Sequence, residues 1–91
     1  EVENEMQLLL PSLSVNEGMA RAAVAAFCAQ LNPTAVEIAD IKCAVSEAVT
    51  NCIVHAYRQS HSGDENPIYI SVRLYDNREV SIEISDNGCE L

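Results

Sequence analysis

Two short signatures set where helices begin in the first half of the chain. Ser14-Val15-Asn16-Glu17 and Thr34-Ala35-Val36-Glu37 both read Ser/Thr-x-x-Glu. This is the capping box, in which the hydroxyl and the glutamate each cover an orphan backbone N–H at a helix start. Asn32-Pro33 stands between them and stops the first helix, because proline brings no N–H and its ring collides with the preceding turn. The pattern predicts one helix from Ser14 to about Leu31 and a second from about Ala35 to Tyr57. In the first, Met19, Ala23, Phe27 and Leu31 recur at i+4 and form the expected packing stripe. In the second, Ile41, Ala44, Val45, Ala48, Val49, Cys52 and Ala56 share one broad face at 100° per residue, with Cys43, Glu47 and Asn51 on the other side.

The flanking segments change period. Met6 to Leu13 (MQLLLPSL) reads as a strand that Pro11 ends or marks as an edge. Ile68, Ile70, Val72 and Leu74 alternate with Tyr69, Ser71, Arg73 and Tyr75, and Val80, Ile82 and Ile84 alternate with Ser81, Glu83 and Ser85. Period 2 means one buried face per strand. Asp76-Asn77-Arg78 is a short hairpin connection, and the polar run Arg58 to Pro67 is a loop. Strand, helix, helix, strand, strand is an α+β order. Its simplest layer solution is a two-layer α/β sandwich, two helices over one face of a mixed or antiparallel sheet of about three strands.

Ninety-one residues make one domain. Five basic against fourteen acidic residues, a formal charge of −9, argue against nucleic acid as a direct partner, because that affinity comes largely from Lys and Arg on phosphates. No stretch is long and apolar enough to span a membrane. No signal segment opens the chain, and the expected location is the cytoplasm. Cys28, Cys43, Cys52 and Cys89 show no zinc spacing. The first three sit in apolar helical runs and read as small buried residues of a reducing compartment.

Glu47 and Asn51 lie one turn apart on the second helix, about 40° apart around its axis. A carboxylate and a carboxamide there can hold a divalent cation through oxygen, and a carboxylate can act as a general base or orient a hydroxyl. On spacing alone, an ordinary solvated helix face is the simpler account. Asp86-Asn87-Gly88 directly follows a buried strand. A carboxylate held there can accept from an adenine amine, which a guanine carbonyl cannot offer, and glycine lets backbone approach a ligand closely. The same three residues also make ordinary turns.

The two segments together are more specific. Ser46-Glu47-Ala48-Val49-Thr50-Asn51-Cys52-Ile53-Val54-His55-Ala56-Tyr57 and Val80-Ser81-Ile82-Glu83-Ile84-Ser85-Asp86-Asn87-Gly88 resemble the N box and first glycine box of the GHKL, or histidine-kinase-like, ATPases. Asn16-Glu17, Ala20-Arg21, Ala25-Ala26-Phe27, Ala29 to Thr34 and Ile41-Lys42 are similar to the serine-kinase branch of that family, the anti-sigma factors of sporulation and of the general stress response.

The resemblance implies the Bergerat fold with ATP–Mg²⁺ between helices and sheet. Asn51 would be the Mg²⁺ ligand linking metal to phosphates, Glu47 the base in phosphoryl transfer, Asp86 the acceptor for the adenine amine, and Gly88 the residue closing on the base. The implied activity is that of a protein serine/threonine kinase, a transferase. It would phosphorylate an anti-anti-sigma partner and hold a sporulation sigma factor inactive as a nucleotide-bound homodimer, with Arg21 contacting partners. Metal-assisted binding also suits an acidic chain, since a cation offsets charge on both protein and triphosphate.

The family's glycine box is Asp-x-Gly-x-Gly, and Glu90 stands where the second glycine is expected. The lid and second glycine box are absent, so residues 1–91 read as the truncated N-terminal portion of the ATPase domain. Such a piece is expected to bind ATP poorly and to leave an exposed sheet edge that invites self-association. The alternatives are a protein-binding module that works without nucleotide and the stress-response relative.

Overall fold

The computed structural model describes residues 1–60, 67–86 and 89–90. The chain runs β1 (Val2–Leu10), α1 (Val15–Cys28), a 3₁₀ turn (Ala29–Leu31), α2 (Ala35–Ser60), β2 (Ile68–Tyr75), β3 (Val80–Asp86) and β4 (Cys89–Glu90). All strand pairs are antiparallel, in the order β1-β2-β3-β4. The two helices lie against one face of this sheet. The α+β, two-layer reading therefore holds, with a two-residue fourth strand added.

Alternation does the layering. Ile68, Ile70, Val72 and Leu74 of β2 are buried against the helices. Their register partners Leu10, Leu8 and Met6 on β1, and Ile84, Ile82 and Val80 on β3, point the same way. The helices close this face with Ala20, Val24 and Cys28 from α1 and Val45, Val49 and Cys52 from α2.

The inward face of α1 keeps part of the expected stripe, since Phe27 and Leu31 pack against the core, but its sealed residues are others. Met19 is 57% exposed, whereas Ala20, Val24 and Cys28 are sealed, one helical position on from Met19, Ala23 and Phe27. Small residues let α1 approach its neighbours closely, and the bulkier Met19 is left outside.

The two capping boxes also part company. At α2 the exchange is complete: the Glu37 N–H donates to Thr34 Oγ1 at 3.1 Å and the Thr34 N–H to Glu37 Oε1 at 2.8 Å. At α1, Ser14 is already in helical conformation and its side chain makes no cap bond, while Glu17 turns instead to Arg21. The first helix ends earlier than expected, at Cys28, and Asn32 closes the 3₁₀ turn in the left-handed region at φ 52°, which asparagine tolerates well.

β1 starts at Val2 rather than Met6 and stops at Leu10, before Pro11. Its polar N-terminal half is held by main-chain pairing to β2, and Glu5 stands opposite Arg73, whose Nε donates to Glu5 Oε2 at 2.6 Å. The β2–β3 connection closes with the Tyr75 N–H on the Glu79 carbonyl, with Arg78 in the left-handed region at φ 66°. The Arg78 guanidinium also donates to the Leu31 carbonyl at 2.8 Å, tying this turn to the helical connector.

Candidate nucleotide site

α2 carries Glu47 and Asn51 on its outer face because its inner face is taken by Val45, Val49, Cys52 and Ala56. Both site residues are exposed. With Ser46 and Thr50 they line one shallow groove of about 250 Å³. One turn back, the Cys43 thiol donates to Glu47 Oε1 at 3.5 Å. Cys43 is exposed, against the expectation that it is buried, while Cys28 and Cys52 are buried as expected. The glutamate's hydrogen bond and negative charge raise the Cys43 thiol above its ordinary pKa. This pairing was open to sequence reasoning, since residues 43 and 47 are i and i+4.

Asp86 ends β3 two residues beyond Ile84, so it shares the helix-facing side of the sheet. It is 8% exposed, and among the described residues neither carboxylate oxygen has a hydrogen-bond partner. A buried charge without a partner is costly, and such a carboxylate is suited to an N–H donor from a ligand. Between them, α2 and β3 leave an apolar crevice of about 170 Å³ lined by Ala44, Val45, Ala48, Ile82 and Ile84. The groove unites Glu47 with Asn51, and Asp86 lines neither concavity. Gly88 lies outside the described residues.

Among the described residues, no three His, Cys, Asp or Glu side chains gather closely enough to hold a metal. Asn51 and Glu47 offer oxygen donors of the type Mg²⁺ prefers. A cation there would need phosphate or water oxygens to complete its shell.

Arg21 does not itself line this groove but sits on the seam between α1 and α2 and bonds Ser46, which does. Its Nη1 donates to Glu17 Oε2 at 2.9 Å and to Ser46 Oγ at 3.2 Å. Ser46 was missed from the sequence, because no local signal shows which α1 residue meets it.

The family described as "Histidine kinase-like ATPase domain" matches residues 10–90. The chain belongs to the histidine kinase-like ATPase family. Among curated relatives, the anti-sigma F factor of Clostridium botulinum (strain Eklund 17B / Type B) is 56% identical over 94% of this chain and 57% of the relative. That of Caldanaerobacter subterraneus subsp. tengcongensis is 54% identical over 97% of the chain and 58% of the relative. That of Bacillus licheniformis is 49% identical over 96% and 57%. The chain thus spans less than two thirds of the length of these relatives. Among the described residues, no helix is long and apolar enough to cross a membrane.

Proposed function

We propose that residues 1–91 are the N-terminal portion of an ATPase domain in an anti-sigma factor that is also an ATP-dependent protein serine kinase. In this reading it holds a sporulation sigma factor inactive and phosphorylates an anti-anti-sigma partner. The observation that carries the nucleotide assignment is Asp86: a buried carboxylate with both oxygens unpartnered among the described residues, on the helix-facing side of the sheet. An adenine amine offers the donor it lacks. Gly88 would close on the base.

Asn51 would hold Mg²⁺ through its amide oxygen, and bound Mg²⁺ neutralises charge on the phosphates. Glu47 would take the proton of the substrate serine as its oxygen attacks the γ-phosphorus and the bond to ADP breaks. Its exposure leaves room for a protein substrate to bring that serine to it. Arg21 would contact partners from the α1–α2 seam. The outer edge of β1 has no strand partner among the described residues, which supports association with a second copy.

Calorimetry with Mg–ATP on the full-length protein tests this reading. Asp86→Asn and Asn51→Ala should each lose most of the binding, while Glu47→Gln should bind ATP and transfer no phosphate. Normal transfer by Asn51→Ala would overturn the site assignment. Sedimentation of the full-length protein should show a concentration-dependent dimer.

A further inference from the structure

Glu47 is the proposed base, and among the described residues one side-chain hydrogen bond steers it. Cys43, one turn earlier on α2, donates its S–H to Glu47 Oε1 at 3.5 Å. Side chains on a helix lean over the turn that precedes them, so position 43 is where a donor meets the carboxylate of residue 47. Glu47 Oε2 has no partner among the described residues. It is the oxygen left to receive a proton.

Asn51 stands one turn on the other side of Glu47, and both line the same groove. Amide and carboxylate side chains at this spacing can pair with each other. Such a pair would occupy the base and tie up the amide that is to turn its oxygen to a cation. The bond to Cys43 draws the carboxylate the opposite way. The hydrogen bond and charge of Glu47, and more weakly the charge of Asp40, raise the thiol pKa. Cys43 therefore stays S–H at neutral pH and can donate, which a thiolate cannot.

We propose that Cys43 is a positioning residue for phosphoryl transfer: its S–H holds Oε1 of Glu47, leaves Oε2 for the proton of the substrate hydroxyl and keeps the carboxylate off Asn51. This rests on the reading that Glu47 is the base. Cys43 does not line the groove, so it acts only through Glu47.

The test uses the full-length protein, Mg–ATP labelled in its γ-phosphate and a purified anti-anti-sigma protein as substrate. Transfer kinetics, the Mg–ATP Kd and Tm are measured separately. Cys43→Ala should lower kcat about tenfold, short of the hundredfold that a 1 Å misplacement can cost. It should leave KM for both substrates and the Mg–ATP Kd unchanged and should not lower Tm. Cys43→Ser, whose hydroxyl donates from the same place, should restore kcat. Cys43→Val, without a donor, should behave as Cys43→Ala. If Cys43→Ala transfers phosphate at the wild-type rate, the positioning role is overturned and Glu47 stands as the base. If Cys43→Ser loses as much as Cys43→Ala, or if Tm or ATP binding falls along with kcat, Cys43 acts through bulk or stability and the proposal fails. If Glu47→Gln itself transfers phosphate normally, both the proposal and the reading of Glu47 as base fail.

Discussion

Thr34 and Glu37 exchange hydrogen bonds at the start of α2, each side chain taking the backbone N–H of the other. Ser14 and Glu17 have the same spacing and make no such exchange. Thr34→Ala should therefore cost about 1 kcal/mol of stability, and Ser14→Ala should stay within about 0.5 kcal/mol. Urea unfolding of the two variants checks this, and equal losses would contradict the structure.

The corrected face of α1 makes a similar contrast. Val24 is sealed between helices and sheet and Met19 is mostly exposed. Val24→Ala should destabilise by about 1–3 kcal/mol through the cavity it leaves, against about 0.5 kcal/mol or less for Met19→Ala. Removing the larger side chain should thus cost less.

Asp86 should show opposite effects on stability and binding. Among the described residues its carboxyl group is buried without partners, so Asp86→Asn replaces a desolvated acid with a neutral amide of the same shape. The variant should melt at a higher temperature than wild type without ligand and should lose stabilisation by Mg–ATP. Thermal melts with and without nucleotide read both effects. A variant with lower Tm in the absence of ligand would mean that the carboxylate is compensated.

Cys43 offers a pH-dependent readout. Glu47 raises its thiol pKa, so less thiolate is present at neutral pH and the iodoacetamide reaction should reach half its maximal rate at a higher pH than for a free thiol. Glu47→Ala removes both the hydrogen bond and the charge. The profile should then move to lower pH, with a faster reaction at pH 7.5. Cys28, buried and with its thiol also raised by burial, should stay unreactive in both proteins.

The hairpin of β2 and β3 was legible because period-2 alternation leaves one answer for which side is buried. The inner face of α2 was legible because valines mark it. α1 was legible only in part: Phe27 and Leu31 pack against the core as the stripe implied, but Ala20, Ala22, Ala23, Ala25 and Ala26 give periodicity little contrast, and Met19 drew the stripe off the sealed residues. The start of β1 was hidden for another reason. Glu3, Asn4 and Glu5 look like a tail, yet main-chain bonds to β2 and the Arg73 ion pair hold them in a strand. Glu47, Asn51 and Asp86 could be named from motif resemblance. The unpartnered state of Asp86 and the Arg21–Ser46 link depend on packing between distant segments, which no local pattern encodes.

β1 meets β2 at Leu10 and Ile68 only after the whole helical hairpin has been laid down, whereas β2 and β3 are joined by a tight turn. Closing the longer loop costs more entropy, and long-range pairings of this kind slow folding. Of the two strands paired to β2, the first should therefore part from it more readily than β3. Amide exchange should be faster from Val2 to Leu10 than from Ile68 to Tyr75, making the first strand the element most easily lent to another chain.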